Sequence, residues 1–256
     1  MDNSSASPRL DGRVALVTGS TAGLGREIAH ALGQAGARVA LNYCNQRERA
    51  ETALAGFLDD GLAGALFRAD VTDASAIDRL VDAVRNELGP IDILVCNATP
   101  AQPQRPLEDY TWQEAQSLLD AFVKGPFLLS QRVVPAMKER RWGRIVHIGS
   151  EVVHEGTPDF SPYVAAKGGQ LGLARSLARE LAPWDITVNT VSPGWVPVAR
   201  HADVPAADKA AYLETVPLGR WGTPRDVAET VTFLASGAAG FVTGANIHVN
   251  GGRTVH

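Results

Sequence analysis

The sequence predicts one doubly wound α/β domain over residues 1–256, built on a parallel sheet of about seven strands with helices on both faces. Three observations carry this. Short apolar runs alternate with amphipathic stretches along the whole chain. The runs are apolar nearly throughout, without a polar alternation, so both faces of each strand call for burial. No Gly/Ser-rich linker, charge run or internal repeat divides the chain.

The first run, "RVALVTGS" (13–20), is a buried strand that ends in a turn. "GLGREIAHALGQAG" (23–36) has helical periodicity and stops at Gly36, a C-cap residue. "ARVALNY" (37–43) is the second strand and 46–61 the second helix, closed by Gly61. Strand 64–71, helix 74–89 and strand 91–98 follow. A Pro-rich loop at 100–106 leads into a long helical tract over about 111–140. Strand 143–150 precedes a polar loop and helix 161–183. Strand 185–194, a polar segment at 195–222, helix 224–236 and strand 245–252 complete the chain.

Composition excludes several functions. The net charge of −4 is interspersed and leaves no footprint for nucleic acid or an anionic membrane. The basic stretch "KERRWGR" (138–144) reads as a solvated helix end. Cys44 and Cys96 leave one bridge open but read in preference as free thiols of a reducing compartment, and no Cys/His group has zinc spacing. "MDNSSASPRL" lacks the apolar centre of a signal peptide, and no run approaches the length of a membrane span. The expectation is a soluble cytoplasmic protein without a metal.

"TGSTAGLG" sets Gly19, Gly23 and Gly25 between the first strand and first helix. Glycines there allow a tight turn and close approach of backbone to a ligand, and the helix N-terminus offers unpaired N–H groups to a pyrophosphate. The strand-turn-helix context turns a permissive motif into a nucleotide site. A carboxylate for the ribose 2′-hydroxyl is expected about 20 residues on. The second strand ends there in Tyr43, with Arg47 as a poorly placed cation, which favours NADP(H) and leaves NAD(H) as the alternative.

"GSEVVHEGTPDFSPYVAAKG" (149–168) holds Ser150, Tyr163 and Lys167. Tyr163 and Lys167 are four apart and share one helix face. Alone, that pair reads as a solvated face. Behind a glycine loop it reads as chemistry: a tyrosine with a pKa of about 10 is a poor base near neutrality, and a neighbouring ammonium favours its phenolate. Ser150, at a strand end, can hold a substrate oxygen.

Together these stretches resemble the short-chain dehydrogenase/reductase family over roughly residues 9–252, through "TGSTAGLG", "DVTD" (70–73), "CNAT" (96–99), Ser150, "YVAAK" (163–167), "NTVSPG" (189–194) and "GFVTGANIHVNGG" (240–252). The resemblance implies a Rossmann-type fold and hydride transfer between a nicotinamide cofactor and a carbonyl or secondary alcohol. It implies that Gly19, Thr21, Gly23, Leu24 and Gly25 wrap the pyrophosphate, that Asp70 and Val71 lie by the adenine, and that Asn97 and Ala98 approach the adenosine ribose. Pro193, Gly194 and Val196 then flank the nicotinamide, and 195–222, with Trp195, Val196, His201 and Tyr212, forms a substrate lid. Tyr163 is the implied acid/base, Lys167 also reaches the nicotinamide ribose, and Ser150 assists. A homotetramer is implied.

Three positions depart from the family pattern. Phe122 stands where an asparagine usually holds a relay water, Thr99 replaces a glycine, and Val198 replaces a threonine. The first departure implies another proton route to Tyr163 or slow turnover. It also motivates a second reading, a cofactor-binding sensor or scaffold with little catalysis. A dehalogenase-like lyase is disfavoured by Lys167 and the intact glycine loop. The ending resembles 3-oxoacyl-(acyl-carrier-protein) reductases, but the two arginines thought to dock the carrier fall at Pro135 and Trp184, with Lys138, Arg140 and Arg179 nearby. That makes a carrier partner doubtful and favours a small ketone, sugar or secondary metabolite.

Overall fold

The computed structural model describes residues 9–199 and 202–255. Seven strands form one parallel sheet in the order β3-β2-β1-β4-β5-β6-β7. They are β1 (Val14–Val17), β2 (Arg38–Tyr43), β3 (Gly64–Arg68), β4 (Ile93–Cys96), β5 (Gly143–Ile148), β6 (Ile186–Pro193) and β7 (Asn246–Val249). This is the doubly wound arrangement expected from the unbroken apolar runs. The chain leaves β3 at one edge and returns to β4 beside β1, which opens a crevice at the carboxyl ends of β1 and β4.

Successive strand residues feed two cores. Ala15 and Val17 point to one face, where they meet Ile28 and Leu32 of α1 (Gly23–Gln34), Phe57 of α2 (Arg47–Asp59) and Val227 and Val231 of α9 (Pro224–Ala235). Val14 and Leu16 point to the other face. They join Ile77 of α3 (Ala74–Glu87), Leu129 of α5 (Gly125–Arg140) and Ala174 of α7 (Ser161–Leu181). The two-residue period of a strand forces this division, and burial on both sides is why the central β1 and β4 are apolar throughout.

Helix starts follow the local chemistry. The Asp73 side chain accepts from the Ala76 N–H at 2.6 Å and caps α3. Thr111 and Glu114 form a capping box on α4 (Trp112–Leu119), and Thr223 and Asp226 form another on α9.

The predicted tract at 111–140 is one helical rod with a defect. A π turn, Asp120–Lys124, separates α4 from α5. Pro126 has no N–H to continue the α-helical ladder, and Gly125 packs so near the Val71 carbonyl that a Cβ there would lie 2.7 Å from its oxygen. The polar loop after Ser150 contains the short helix α6 (Val152–Glu155), and segment 195–222 contains α8 (Ala206–Glu214). Both were missed as helices. Arg144 departs from the solvated reading of the basic stretch. It is buried, and its guanidinium donates to the Gly143, Asp185 and Ser236 carbonyls. Among the described residues no helix is long and apolar enough to cross a membrane, and no His/Cys/Asp/Glu group could hold a metal.

Candidate active site

The glycine loop is built so that backbone takes the place of side chains. Gly19 has φ +62°, and a Cβ there would lie 2.9 Å from the Ala98 Cα. A Cβ on Gly25 would collide with the Gly19 carbonyl oxygen and the Asn97 amide. Neither position tolerates a side chain without moving the loop. Asn97 braces this turn, donating from Nδ2 to the carbonyls of Thr18 at 2.9 Å and Gly19 at 3.1 Å. The N–H groups of Asn97 and Ala98 both donate to the buried Thr18 hydroxyl at 2.9 Å. The loop after β1 is thereby locked to the loop after β4 across the crevice. Asn42 secures the other side. Its Oδ1 accepts from the Gly19 N–H at 3.2 Å, and its own N–H donates to Ser20 Oγ at 2.9 Å.

Helix α1 begins at Gly23 after Ala22, which offers no side-chain cap. The first turn therefore keeps its N–H groups directed outward, the arrangement an anion uses. Thr21 is buried beside this turn, and Leu24 packs onto the core below it. Val198 lies over Gly23, 3.8 Å from the place of a Cβ on that residue. Asp70 is exposed and accepts from the Thr72 N–H at 2.8 Å and hydroxyl at 2.7 Å, while Val71 is buried. Tyr43 ends β2 and pairs in register with Arg68 of β3, whose Nε donates to the Cys44 carbonyl at 3.1 Å. Arg47 is turned instead to Glu51, at 2.7 Å.

Ser150 follows β5, half-buried, and its Oγ accepts from the Val152 N–H at 3.4 Å. Tyr163 lies in the first turn of α7, buried between Phe160, with ring centroids 4.6 Å apart, and Phe122, edge-on at 5.4 Å. Lys167 is one turn further on. Its ammonium donates to the Ile148 carbonyl at 2.6 Å and to Gln170 Oε1 at 3.1 Å. The first of these bonds ties α7 to the end of β5, two residues before Ser150. Thr99, on the exposed rim, is hydrogen-bonded to Gln102.

Residues 193–198 close the site from the other side. The Gly194 N–H donates to the Val249 carbonyl at 3.1 Å, and Val196 is buried. The Pro193 carbonyl accepts from the Glu151 N–H at 3.2 Å, which joins this segment to Ser150's neighbour. Glu151 is 3% exposed and its carboxylate gathers three donors: the Tyr212 hydroxyl at 2.7 Å, Asn250 Nδ2 at 3.1 Å and Arg253 Nη1 at 3.0 Å. Burial raises the carboxyl's pKa against the opposing pull of Tyr212, Arg253 and Asn250. The Tyr212 hydroxyl in turn accepts from the Trp195 N–H at 2.6 Å, and the Tyr212 ring stacks on Trp221 at 5.4 Å. His201, read with the lid, lies outside the described residues.

The structure thus brings the glycine loop, Asn97, Ala98, Ser150, Tyr163, Lys167 and 193–198 to one edge of the sheet. Reading the sequence missed Asn42, Glu151 and Gln170. Their signal was faint: a single amide at the buried end of β2, a carboxylate directly after the serine, and a polar residue three after the lysine on the buried side of a helix.

Comparison with known proteins follows the same lines. The family model described as enoyl-(acyl carrier protein) reductase matches residues 19–254. A 3-oxoacyl-(acyl-carrier-protein) reductase of Haemophilus influenzae is 39% identical over 245 residues, covering 95% of this chain and 98% of that protein. The enzyme of that name from Staphylococcus aureus is 39% identical over 239 residues, covering 93% and 96%. Among solved structures, a candidate gluconate dehydrogenase of Agrobacterium tumefaciens superposes with a TM-score of 0.91 at 32% identity, over 97% of this chain and 98% of that one. A candidate short-chain alcohol dehydrogenase of Sinorhizobium meliloti gives 0.90 at 34%, over 96% and 97%. With the crevice, the glycine loop and this likeness over nearly its whole length, the chain belongs to the short-chain dehydrogenase/reductase family of NAD(P)-dependent oxidoreductases acting on carbonyl and alcohol groups.

Proposed function

We propose that the protein is an NADP(H)-dependent reductase of a small ketone, or the corresponding alcohol dehydrogenase, with Tyr163 as general acid/base and Lys167 and Ser150 as its partners. The observation that carries this reading is the buried Lys167 ammonium on the same face of α7 as Tyr163, fastened to the strand that delivers Ser150. A buried cation beside a phenol favours the phenolate, the form that removes a proton from an alcohol. In the reductive direction the neutral tyrosine gives its hydroxyl proton to the oxygen that becomes the alcohol. Ser150 orients that oxygen by donating to it.

The residues present fit a dinucleotide: a side chain at Gly25 would fill the cradle, and α1 begins without a side-chain cap. Gly19, Thr21, Gly23, Leu24 and Gly25 would hold the pyrophosphate, Asp70 and Val71 the adenine, and Asn97 and Ala98 the ribose. Pro193, Gly194 and Val196 would hold the nicotinamide, and Lys167 its ribose. When bound, the nicotinamide supplies or accepts the hydride. NADP(H) is favoured because β2 ends in Tyr43, not a carboxylate, with the Arg68 guanidinium beside it. Residues 1–256 act as one catalytic domain in which 195–222 is the substrate lid, and the free Cys44 and Cys96 suit the cytoplasm.

Relatives named for acyl-carrier-protein substrates keep that partner in view. Against it, Trp184 is occupied by Lys138, whose Nζ lies 3.9 Å from the ring centroid, and Arg140 is paired with Asp92 at 3.3 Å. These cations are held by the protein itself. A homotetramer would cover the exposed Trp112 and Phe127 on α4 and α5 and the exposed Leu218 and Phe241 near the β7 edge.

Calorimetric titration with NADPH and NADH, followed by cofactor oxidation across a panel of ketones and acyl thioesters, tests the reading. Tighter NADPH binding with turnover of a free ketone is expected. Tight binding without turnover of anything would favour the sensor, and binding of neither cofactor would end both.

A further inference from the structure

Lys167 is 5% exposed, and burial drives a lysine toward its neutral form. A neutral amine lends nothing to a neighbouring phenolate. Two groups of the adjoining strands feel its charge: His147 of β5 is pushed down to about 4 and Cys96 of β4 is pushed up to about 12, each chiefly by burial. On its own helix Tyr163 is one turn away, with its ring centroid 5.9 Å from Nζ. Dipoles and a ring face lie directly against the charge.

Two side chains from different elements supply them. Gln170 is 1% exposed and three residues after Lys167 on α7, the spacing that brings side chains together on a helix. Its Oε1 accepts from the ammonium at 3.1 Å, and it lines a small cavity with Thr18, Val71, Cys96 and Ala98. An amide so placed is costly to bury without a bond of this kind. Phe122, equally buried, sits in the π turn between α4 and α5. Nζ lies 3.8 Å from the centroid of its ring, a cation–π contact in a desolvated setting.

We propose that Gln170 and Phe122 form a seat for the Lys167 ammonium, Gln170 through its amide oxygen and Phe122 through its ring face, and that both are positioning residues for proton transfer at Tyr163. Phe122 is then a working part of the site, in place of the polar relay its position suggested. The proposal rests on the assignment of Tyr163 and Lys167 as acid/base partners.

The test is an NMR titration of the lysine ε-carbons in the full-length protein without cofactor, with Lys167→Met identifying the signal. Gln170→Met keeps the volume and removes the acceptor. Phe122→Leu keeps an apolar side chain and removes the ring. Each is expected to lower the Lys167 midpoint by about one pH unit, and the double variant to lower it further. Gln170→Glu, which retains an acceptor and adds charge, is expected to raise it, and gives the answer if Gln170→Met fails to fold. Midpoints unchanged in these variants overturn the seat. In alcohol oxidation, the pH limb that reports Tyr163 should move to higher pH in Gln170→Met, with the Kd for cofactor nearly constant. A wild type that turns over no substrate sinks the catalytic reading while the titration still decides the seat. Normal turnover with unmoved midpoints sinks the seat alone.

Discussion

Glu151 directly follows Ser150, and Lys167 stands on the helix that carries Tyr163; both are ionisable and both are buried. The fold houses them in opposite ways. Lys167 meets a carbonyl, an amide oxygen and a ring face. Glu151 meets a guanidinium, a phenol and an amide N–H, drawn from the lid helix and the C-terminal segment. The charge of Lys167 acts on the groups beside it, His147 and Cys96 among them. A carboxylate bonded to Arg253, which Glu155 shares, has part of its field cancelled and serves as a knot that joins chain segments. The difference separates a group arranged to influence chemistry from one arranged to hold the lid.

The largest expected effect lies on the chemical side. Tyr163→Phe removes the proton that Lys167 is placed to control and should lower kcat by roughly 10²- to 10⁴-fold. Cofactor Kd should change little, because the glycine loop is untouched. Steady-state kinetics with calorimetric binding checks this, and near-normal turnover would assign the proton to another group. Next is Glu151→Ala. It takes the acceptor from Tyr212 and one of two from Asn250, leaves Arg253 with Glu155 as its remaining carboxylate, and should destabilise the fold by roughly 1–3 kcal/mol, a fall in Tm on the order of 5 °C. Its residual activity should keep the wild-type pH profile. A shifted profile would place Glu151 with the chemistry and erase the contrast with Lys167.

The sequence made the frame of both sites legible and hid their connections. Strand boundaries and the glycine loop follow from local signals: unbroken apolar runs, and glycines where a Cβ would strike Ala98 or the Gly19 carbonyl. Tyr163, Lys167 and Ser150 were readable from spacing and resemblance. Contacts made over long separations were not. Glu151 finds Arg253 across 102 residues, and Asn42 finds Gly19 across 23, with no periodicity to announce either. Phe122 was readable only as a missing asparagine, because a ring face acting on a cation depends on the π turn that aims it. Arg144 belongs to the basic run that reads as solvated, yet its guanidinium donates to the carbonyls of its own strand neighbour Gly143 and of the distant Asp185 and Ser236.

A smaller effect sharpens the lid side. Tyr212 bridges Glu151 and the Trp195 N–H, and its hydroxyl approaches within 2.5 Å of where a Gly194 Cβ would stand. Tyr212→Phe keeps the stack on Trp221 and removes both bonds. A hydrogen bond to a charged group is worth about 1.5–3 kcal/mol, so KM for the substrate should rise roughly tenfold while the pH limb stays in place. Unchanged KM would mean that the lid is held by its aromatic packing alone.

The smallest effect uses His147 as a gauge of the Lys167 field. Its ring is fully buried and neither ring nitrogen makes a hydrogen bond. Burial, then the charge of Lys167, brings its pKa from 6.5 to about 4. The folded imidazole therefore resists a proton that the unfolded chain accepts. Stability from this residue is intact above about pH 6.5 and is lost as pH falls toward 4, by roughly 3 kcal/mol in all. In Lys167→Met the His147 midpoint should rise, yet stay below 6.5, since burial is the larger cause. His147→Leu should flatten the loss of denaturant stability over the same pH range. If Lys167→Met leaves the His147 midpoint where it was, the ammonium projects no field across β5, and its effect on Tyr163 would have to be one of geometry alone.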